Sequence, residues 1–125
     1  MDARLRILIL DDEPLVLRML ERVVRDHVVI SVEDPTAALA MLDPECIDAV
    51  LCDGHMPKMS GEEFARAVQD ADFPPERFAV MTGDFVLADR LSSLGHRVVE
   101  KPLAPEHLDA LIEAWRNLRK ASGAA

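Results

Sequence analysis

Five polar side chains stand just past the ends of apolar runs: Asp11 and Asp12, Asp53, Thr82 and Lys101. Crowded carboxylates raise one another's pKa unless a cation neutralises them. A hard divalent ion with oxygen ligands meets that need, and one that keeps waters and accepts a phosphate is Mg²⁺. One carboxylate is then placed as a nucleophile towards phosphorus, forming an aspartyl phosphate. Lys101 neutralises a phosphoryl oxygen as a point charge, and the Thr82 hydroxyl donates to another. With the metal, these groups answer the charge spread over the equatorial oxygens during transfer. Each residue also has a plainer reading. Asp11 or Asp12 caps a helix that starts near Pro14, with Glu13 in its positive first turn. Thr82 is then a strand residue with a satisfied hydroxyl, and Lys101 a solvated turn lysine.

The chemical reading requires one rim, so the elements decide it. Residues 5–10 form an apolar run of strand type, and 14–27 place Val16, Met19, Leu20, Val23 and Val24 on one helical face. Residues 28–32 are a second strand. Asp34-Pro35 reads as a cap and first helical position, opening a short helix to about residue 42. Residues 47–52 are a third strand running into Asp53, and 54–60 form a loop with Gly54, Pro57 and Ser60. Ser60 and Glu63 have capping-box spacing ahead of Phe64, Val68 and Ala71, and Pro74-Pro75 breaks that helix. A fourth strand covers 78–81, Asp84 starts a helix ending near Gly95, and Val98-Val99 centre a fifth strand. Pro105 opens a last helix with Leu108, Leu111, Ile112, Trp115 and Leu118 as its stripe.

Strands alternating with helices imply a parallel sheet covered on both faces. In open sheets of this kind ligands bind beyond the carboxyl ends of the strands. Asp11, Asp12, Asp53, Thr82 and Lys101 all fall at those ends. Glu33-Asp34, after the second strand, reads as the solvent-exposed start of a helix.

Composition narrows the function classes. The 125 residues suit one domain, half hydrophobic and 30% charged, with a net charge of -9. Such a chain repels nucleic acid and anionic membranes, so neither is expected as a partner. The nearest approach to a basic patch is 116–120, at a helix end where cations suit the dipole. Cys46 and Cys52 have no neighbours at zinc-ligand spacing and build no disulfide framework, which points to a reducing, cytoplasmic setting. The start of the chain lacks signal-peptide character, and no apolar run reaches the ~20 residues that span a bilayer. His27, His96 and His107 lie in separate elements, and Trp115 reads as packing.

The chain resembles response-regulator receiver domains across residues 4–121. The resemblance rests on Asp11-Asp12 after the first strand, Asp53-Gly54-His55-Met56-Pro57-Lys58-Met59-Ser60-Gly61 after the third, Met81-Thr82-Gly83, and Lys101-Pro102. It implies a flavodoxin-like, doubly wound (βα)5 sandwich of the α/β class with strand order 2-1-3-4-5. One receiver domain would occupy 1–125, with a core over 4–121 and a loose tail over 122–125. The implied role is a signalling phosphoacceptor of a two-component or phosphorelay system rather than an enzyme. A histidine kinase or histidine phosphotransfer protein would supply phosphate to Asp53. Asp12, Asp53 and the backbone carbonyl of His55 would ligate Mg²⁺, with Asp11 holding it through water. Thr82 and Lys101 would touch the phosphoryl group, and Lys101–Pro102 would be cis. The target would dock on the face of the fourth helix, fifth strand and fifth helix.

No output domain follows the last helix, so a stand-alone regulator or the receiver part of a hybrid sensor kinase is expected. Met81-Thr82-Gly83-Asp84 and Val98-Val99-Glu100-Lys101-Pro102 resemble receivers attached to hybrid sensor kinases and some stand-alone receivers. Two alternatives stand beside this reading. A Mg²⁺-dependent phosphohydrolase with an aspartyl-phosphate intermediate usually carries its two acids two residues apart after the first strand, unlike the adjacent pair here. A pseudo-receiver that only binds a partner does not need the full acid, hydroxyl and ammonium set.

One departure matters. Many receivers carry an aromatic three residues before the lysine, and here that position is Val98 in a chain without tyrosine. Phe85 is expected to pack in the core rather than replace it. His55 and Asp84 flank the site, two residues after Asp53 and Thr82, and are expected to tune the lifetime of the phosphoryl group.

Overall fold

The computed structural model describes residues 4–121. Five strands alternate with five α-helices: β1 (Arg6–Leu10), α1 (Pro14–Val23), β2 (Val28–Val32), α2 (Pro35–Ala40), β3 (Ala49–Asp53), α3 (Gly61–Asp70), β4 (Phe78–Thr82), α4 (Phe85–Ser93), β5 (Arg97–Glu100) and α5 (Pro105–Ala121). A 3-10 turn at Pro75–Arg77 follows the proline break. The strands pair in parallel in the order β2-β1-β3-β4-β5. The expected α/β sandwich and strand order are therefore present. The tail expected over 122–125 lies outside the described residues.

Period-two alternation divides the core. Ile7 and Ile9 of β1 face one way, with Leu51, Met81, Leu17, Leu20, Leu111 and Trp115. Leu8 and Leu10 face the other, with Val50, Cys52, Phe64, Val68, Phe78 and Leu91. Burying each of the larger side chains contributes about 1.5–3 kcal/mol, so both layers hold the sheet rigid. Every residue of β3 and β4 is buried, whereas the edge strands β2 and β5 are half exposed. Trp115 lines a cleft with Arg6 and Asp48, at the amino-terminal end of the sheet and away from Asp53.

Local signals are honoured at most helix starts. Ser60 and Glu63 form a complete capping box on α3. Asp34 caps α2, and Asp84 caps α4 through the amides of Val86 and Leu87. Gly95, with φ of 90°, follows the end of α4.

Five local expectations need correction. α1 buries Leu17 and Leu20, with Val24 just beyond, while Met19 and Val23 are 50% and 41% exposed. The core-facing stripe therefore runs through 17, 20 and 24, a rotation set by how α1 lies on β1. The same rotation places Arg18, Arg22 and Arg25 beside Leu15 and Met19 on the outer face, a basic grouping the linear chain does not display. The cap of α1 is Glu13, without a side-chain hydrogen bond, so neither Asp11 nor Asp12 caps it. α2 stops at Ala40, and β3 starts at Ala49 rather than at 47. Phe85 is 78% exposed and belongs to neither core layer. Among the described residues no helix is long and apolar enough to cross a membrane.

Candidate functional site

The sheet register assembles the site. Leu10 pairs with Cys52, so Asp11 and Asp53 leave neighbouring strands side by side at the switch in strand order. Asp53 in turn pairs with Met81, and Thr82 with Glu100, so Thr82 and Lys101 complete the same rim. Ligand oxygens of Asp11, Asp12 and Asp53 all lie within 4.8 Å of one another. Lys101 Nζ donates to Asp53 Oδ1 at 2.8 Å and lies 3.9 Å from Asp11 Oδ2. All five rim residues are thus brought to one end of the sheet, with Asp11, Asp53 and Thr82 buried there.

The two carboxylate oxygens of Asp11 differ in their partners. Its Oδ1 accepts the Glu13 amide at 2.9 Å, while Oδ2 is buried without a hydrogen-bond donor. Burial first, and then the charges of Asp53 and Asp12, push the Asp11 carboxyl up to about 6, against the Glu13 amide and Lys101. A buried carboxylate oxygen without a donor, beside two more acids, is the donor set a hard cation fills. Burial pulls the Lys101 ammonium down, but its hydrogen bond to Asp53 and the charges of Asp53 and Asp11 outweigh that and raise it overall. Lys101 therefore stays protonated at neutral pH.

Two glycines let the loops close. A Cβ on Gly54 would stand 2.9 Å from Thr82 Cβ, so β3 and β4 approach there only without a side chain. A Cβ on Gly61 would stand 2.8 Å from the Gly54 Cα, where the Gly61 amide donates to the Gly54 carbonyl at 2.8 Å. Gly61→Ala thus pushes rigid backbone at the residue next to Asp53. It is expected to destabilise the fold by about 1–3 kcal/mol by overpacking, and to weaken Mg²⁺ binding. Urea unfolding with and without Mg²⁺ checks this, and unchanged values for both quantities refute it.

His55 and Asp84 meet across the mouth of the site, with His55 Nε2 3.1 Å from Asp84 Oδ2. Two backbone amides, of Leu87 and then Val86, together with His55, hold the Asp84 carboxyl below its ordinary range. Thr82 Oγ1 accepts the Asp84 amide at 3.1 Å. The chain sequence marks both flanking residues, but their contact and the Gly54–Thr82 approach depend on the spacing of neighbouring strands. Lys101–Pro102 is cis. Cys46 and Cys52 are both free, Cys52 buried.

An acidic cluster, a buried hydroxyl and an ammonium at the carboxyl rim of a β2-β1-β3-β4-β5 parallel sheet define a receiver-type phosphotransfer scaffold. The chain belongs to the response regulator receiver domain family, whose model matches residues 7–113. It is 33% identical over 107 residues to a hydrogenase transcriptional regulatory protein, HoxA, of Bradyrhizobium diazoefficiens, covering 82% of this chain and 22% of that protein. The chain spans between 18% and 50% of the length of three curated relatives it matches. A receiver domain protein from Clostridium thermocellum shares the fold with a TM-score of 0.81 at 24% identity, over 94% of this chain and 98% of that one. The receiver domain of a sensor histidine kinase from Pseudomonas aeruginosa, solved with magnesium in its active-site cleft, superposes with a TM-score of 0.77 at 21% identity, over 91% and 98% of the two chains.

Proposed function

We propose that Asp53 is the phosphoacceptor of this receiver domain and that Asp11, Asp12 and Asp53 serve a Mg²⁺ ion. The observation that carries the reading is the Lys101 ammonium, 2.8 Å from Asp53, at the edge of the three-acid cluster. Asp12, Asp53 and the His55 carbonyl would ligate the ion directly, and Asp11 through water. Support for Mg²⁺ comes from the donor-less Asp11 oxygen and from the magnesium in the Pseudomonas aeruginosa relative. When bound, the ion supplies positive charge against the non-bridging phosphoryl oxygens.

In the transfer, an Asp53 carboxylate oxygen attacks phosphorus. The phosphorus–nitrogen bond of a phosphohistidine breaks, and its electron pair returns to the imidazole. Lys101 leaves its carboxylate partner to neutralise a phosphoryl oxygen, and the Thr82 hydroxyl donates to another. The buried strand ends hold Asp11, Asp53 and Thr82 in place before reaction, so the largest rearrangement is that of Lys101. The donor would be a histidine kinase or histidine phosphotransfer protein, and the output a protein contact on the α4, β5 and α5 face. This reading treats the chain as one domain with its core over 4–121.

The test is incubation with Mg²⁺ and acetyl phosphate, followed by intact mass and peptide mapping. A single Mg²⁺-dependent phosphoryl adduct on Asp53, absent in Asp53→Asn, is the expected result. Rapid multiple turnover of phosphate esters would instead identify a phosphohydrolase, and no adduct at all a pseudo-receiver. Trp115 fluorescence is a poor substitute, because the indole sits at the opposite end of the sheet.

A further inference from the structure

Away from Asp53, a cleft of about 510 Å³ opens between α5 and the segments that enter β3 and β4. Its volume is that of a small-molecule site. Arg6, Arg77 and Arg119 all line it, a cationic grouping in a chain of net charge -9. Asp48 answers two of them. It accepts the Arg6 amide at 2.7 Å and Arg6 Nε and Nη2 at 3.1 Å each, and Arg119 Nη1 stands 3.6 Å from it. Arg77 is placed differently. Its Nε donates to the Asp48 carbonyl at 2.6 Å, and its Nη2 to the carbonyls of Pro44, at 2.8 Å, and Ile47. These acceptors are neutral, and Nη1 has no acceptor among the described residues. The guanidinium lies over the Phe73 ring, 5.1 Å from its centroid, which fixes the plane of the fork.

A second donor in the cleft is also unanswered. Trp115 is 2% exposed, and its Nε1–H is buried without an acceptor. A buried indole N–H ordinarily finds a partner. Pro44, Pro74 and Leu118 give the same cleft apolar walls. We propose that this cleft binds a small monocarboxylate with an apolar or aromatic body, held by Arg77 and by the indole N–H of Trp115. A carboxylate brings two acceptor oxygens and one charge, which suits both donors and the guanidinium that lacks a counter-charge. A dianion is disfavoured, because Glu45, Asp48 and Glu76 also line the cleft. The apolar walls take the body of the ligand. The site lies at the opposite end of the sheet from the acidic cluster and needs neither Mg²⁺ nor a phosphoryl group on Asp53.

Trp115 is the only tryptophan, so the chain gives a single indole N–H signal in a proton–nitrogen correlation spectrum. The probe is sodium benzoate at neutral pH and constant ionic strength, with sodium chloride, uncharged benzamide and inorganic phosphate as comparisons. Benzoate is expected to move the indole signal and saturate in the millimolar range of a ligand of its size, while the other three leave it in place. Glu76→Gln, at an exposed position, removes a like charge from the cleft and should tighten benzoate about twofold. Arg77→Lys keeps the charge but loses the planar fork, and should weaken benzoate about fivefold. Arg77 also ties three carbonyls together, so if Arg77→Lys loses the fold, the Glu76→Gln titration decides. An indole signal that benzoate does not move, or that benzamide or chloride moves equally, overturns the proposal. So does a response to phosphate alone, which marks a bare ion site, or unchanged benzoate affinity in Glu76→Gln or in folded Arg77→Lys.

Discussion

Asp11→Asn is expected to make the metal-free protein more stable above about pH 6 and to abolish most of its response to Mg²⁺. The carboxyl of Asp11 is raised by burial, and then by Asp53, to about 6 from an ordinary 3.8. A raised carboxyl favours the protonated form in the folded state. Between about pH 4 and pH 6 the folded protein holds a proton that the unfolded chain releases, so stability falls as pH rises through that window. Below it both states are protonated and nothing is lost. The shift corresponds to roughly 2–3 kcal/mol, taking 1.36 kcal/mol per pKa unit, for a residue with no exposed surface. Asparagine retains an oxygen for the Glu13 amide and removes the charge, so this contribution to the pH dependence should vanish across the same window.

Mg²⁺ has the opposite effect on the wild type. It binds the ionised site, so it should restore stability at neutral pH by about 2.7 kcal/mol at a hundred times its Kd, and add little near pH 4.5 where protons compete. Urea unfolding of both proteins in chelator and in Mg²⁺, between about pH 4 and pH 7.5, provides the measurement. The difference between the two proteins isolates Asp11 from other titrating groups. Parallel pH profiles, or full Mg²⁺ stabilisation of Asp11→Asn, would contradict the assignment.

Lys101→Met is expected to separate metal binding from phosphoryl transfer. The ammonium lies 2.8 Å from Asp53 and 3.9 Å from Asp11, so it is the cation that now offsets the acidic cluster. Removing it leaves more unbalanced negative charge, and Mg²⁺ should bind about tenfold more tightly, most visibly at low salt. The same substitution removes a donor aimed at the transferring group. Phosphorylation by acetyl phosphate at saturating Mg²⁺ should therefore slow by about a hundredfold. Isothermal titration gives the first quantity and time-resolved intact mass the second. A lysine that only fills a turn changes neither, and a lysine that only neutralises Asp53 tightens the metal without slowing transfer.

Much of this fold is written in local pattern. The apolar runs ending at Leu10, Cys52 and Met81 identify buried parallel strands, because only strands covered on both faces can be apolar without alternation. Ser60, Asp34 and Asp84 mark helix starts that occur where their hydroxyl or carboxylate meets free amides. The outward rotation of α1 is not legible in the same way. Its sequence carries apolar residues at 15, 16, 17, 19, 20, 23 and 24, and such a broad stripe fits several orientations until the helix meets β1. The exposure of Phe85 is similarly hidden, since a first-turn residue packs only if a neighbouring element covers it.

The site divides along the same line. Sequence by itself determined which groups stand at the carboxyl ends of the strands, because strand ends and residue types are local: Asp11, Asp12, Asp53, Thr82 and Lys101. Tertiary structure alone decided how they stand to one another. Strand order set Asp11 beside Asp53, burial left one Asp11 oxygen without a donor, and the close pass of β3 and β4 at Gly54 brought Thr82 over the loop. The joining of His55 to Asp84 is of the same kind. Those residues are 29 positions apart in the chain, and only packed neighbouring strands bring their side chains within hydrogen-bond reach.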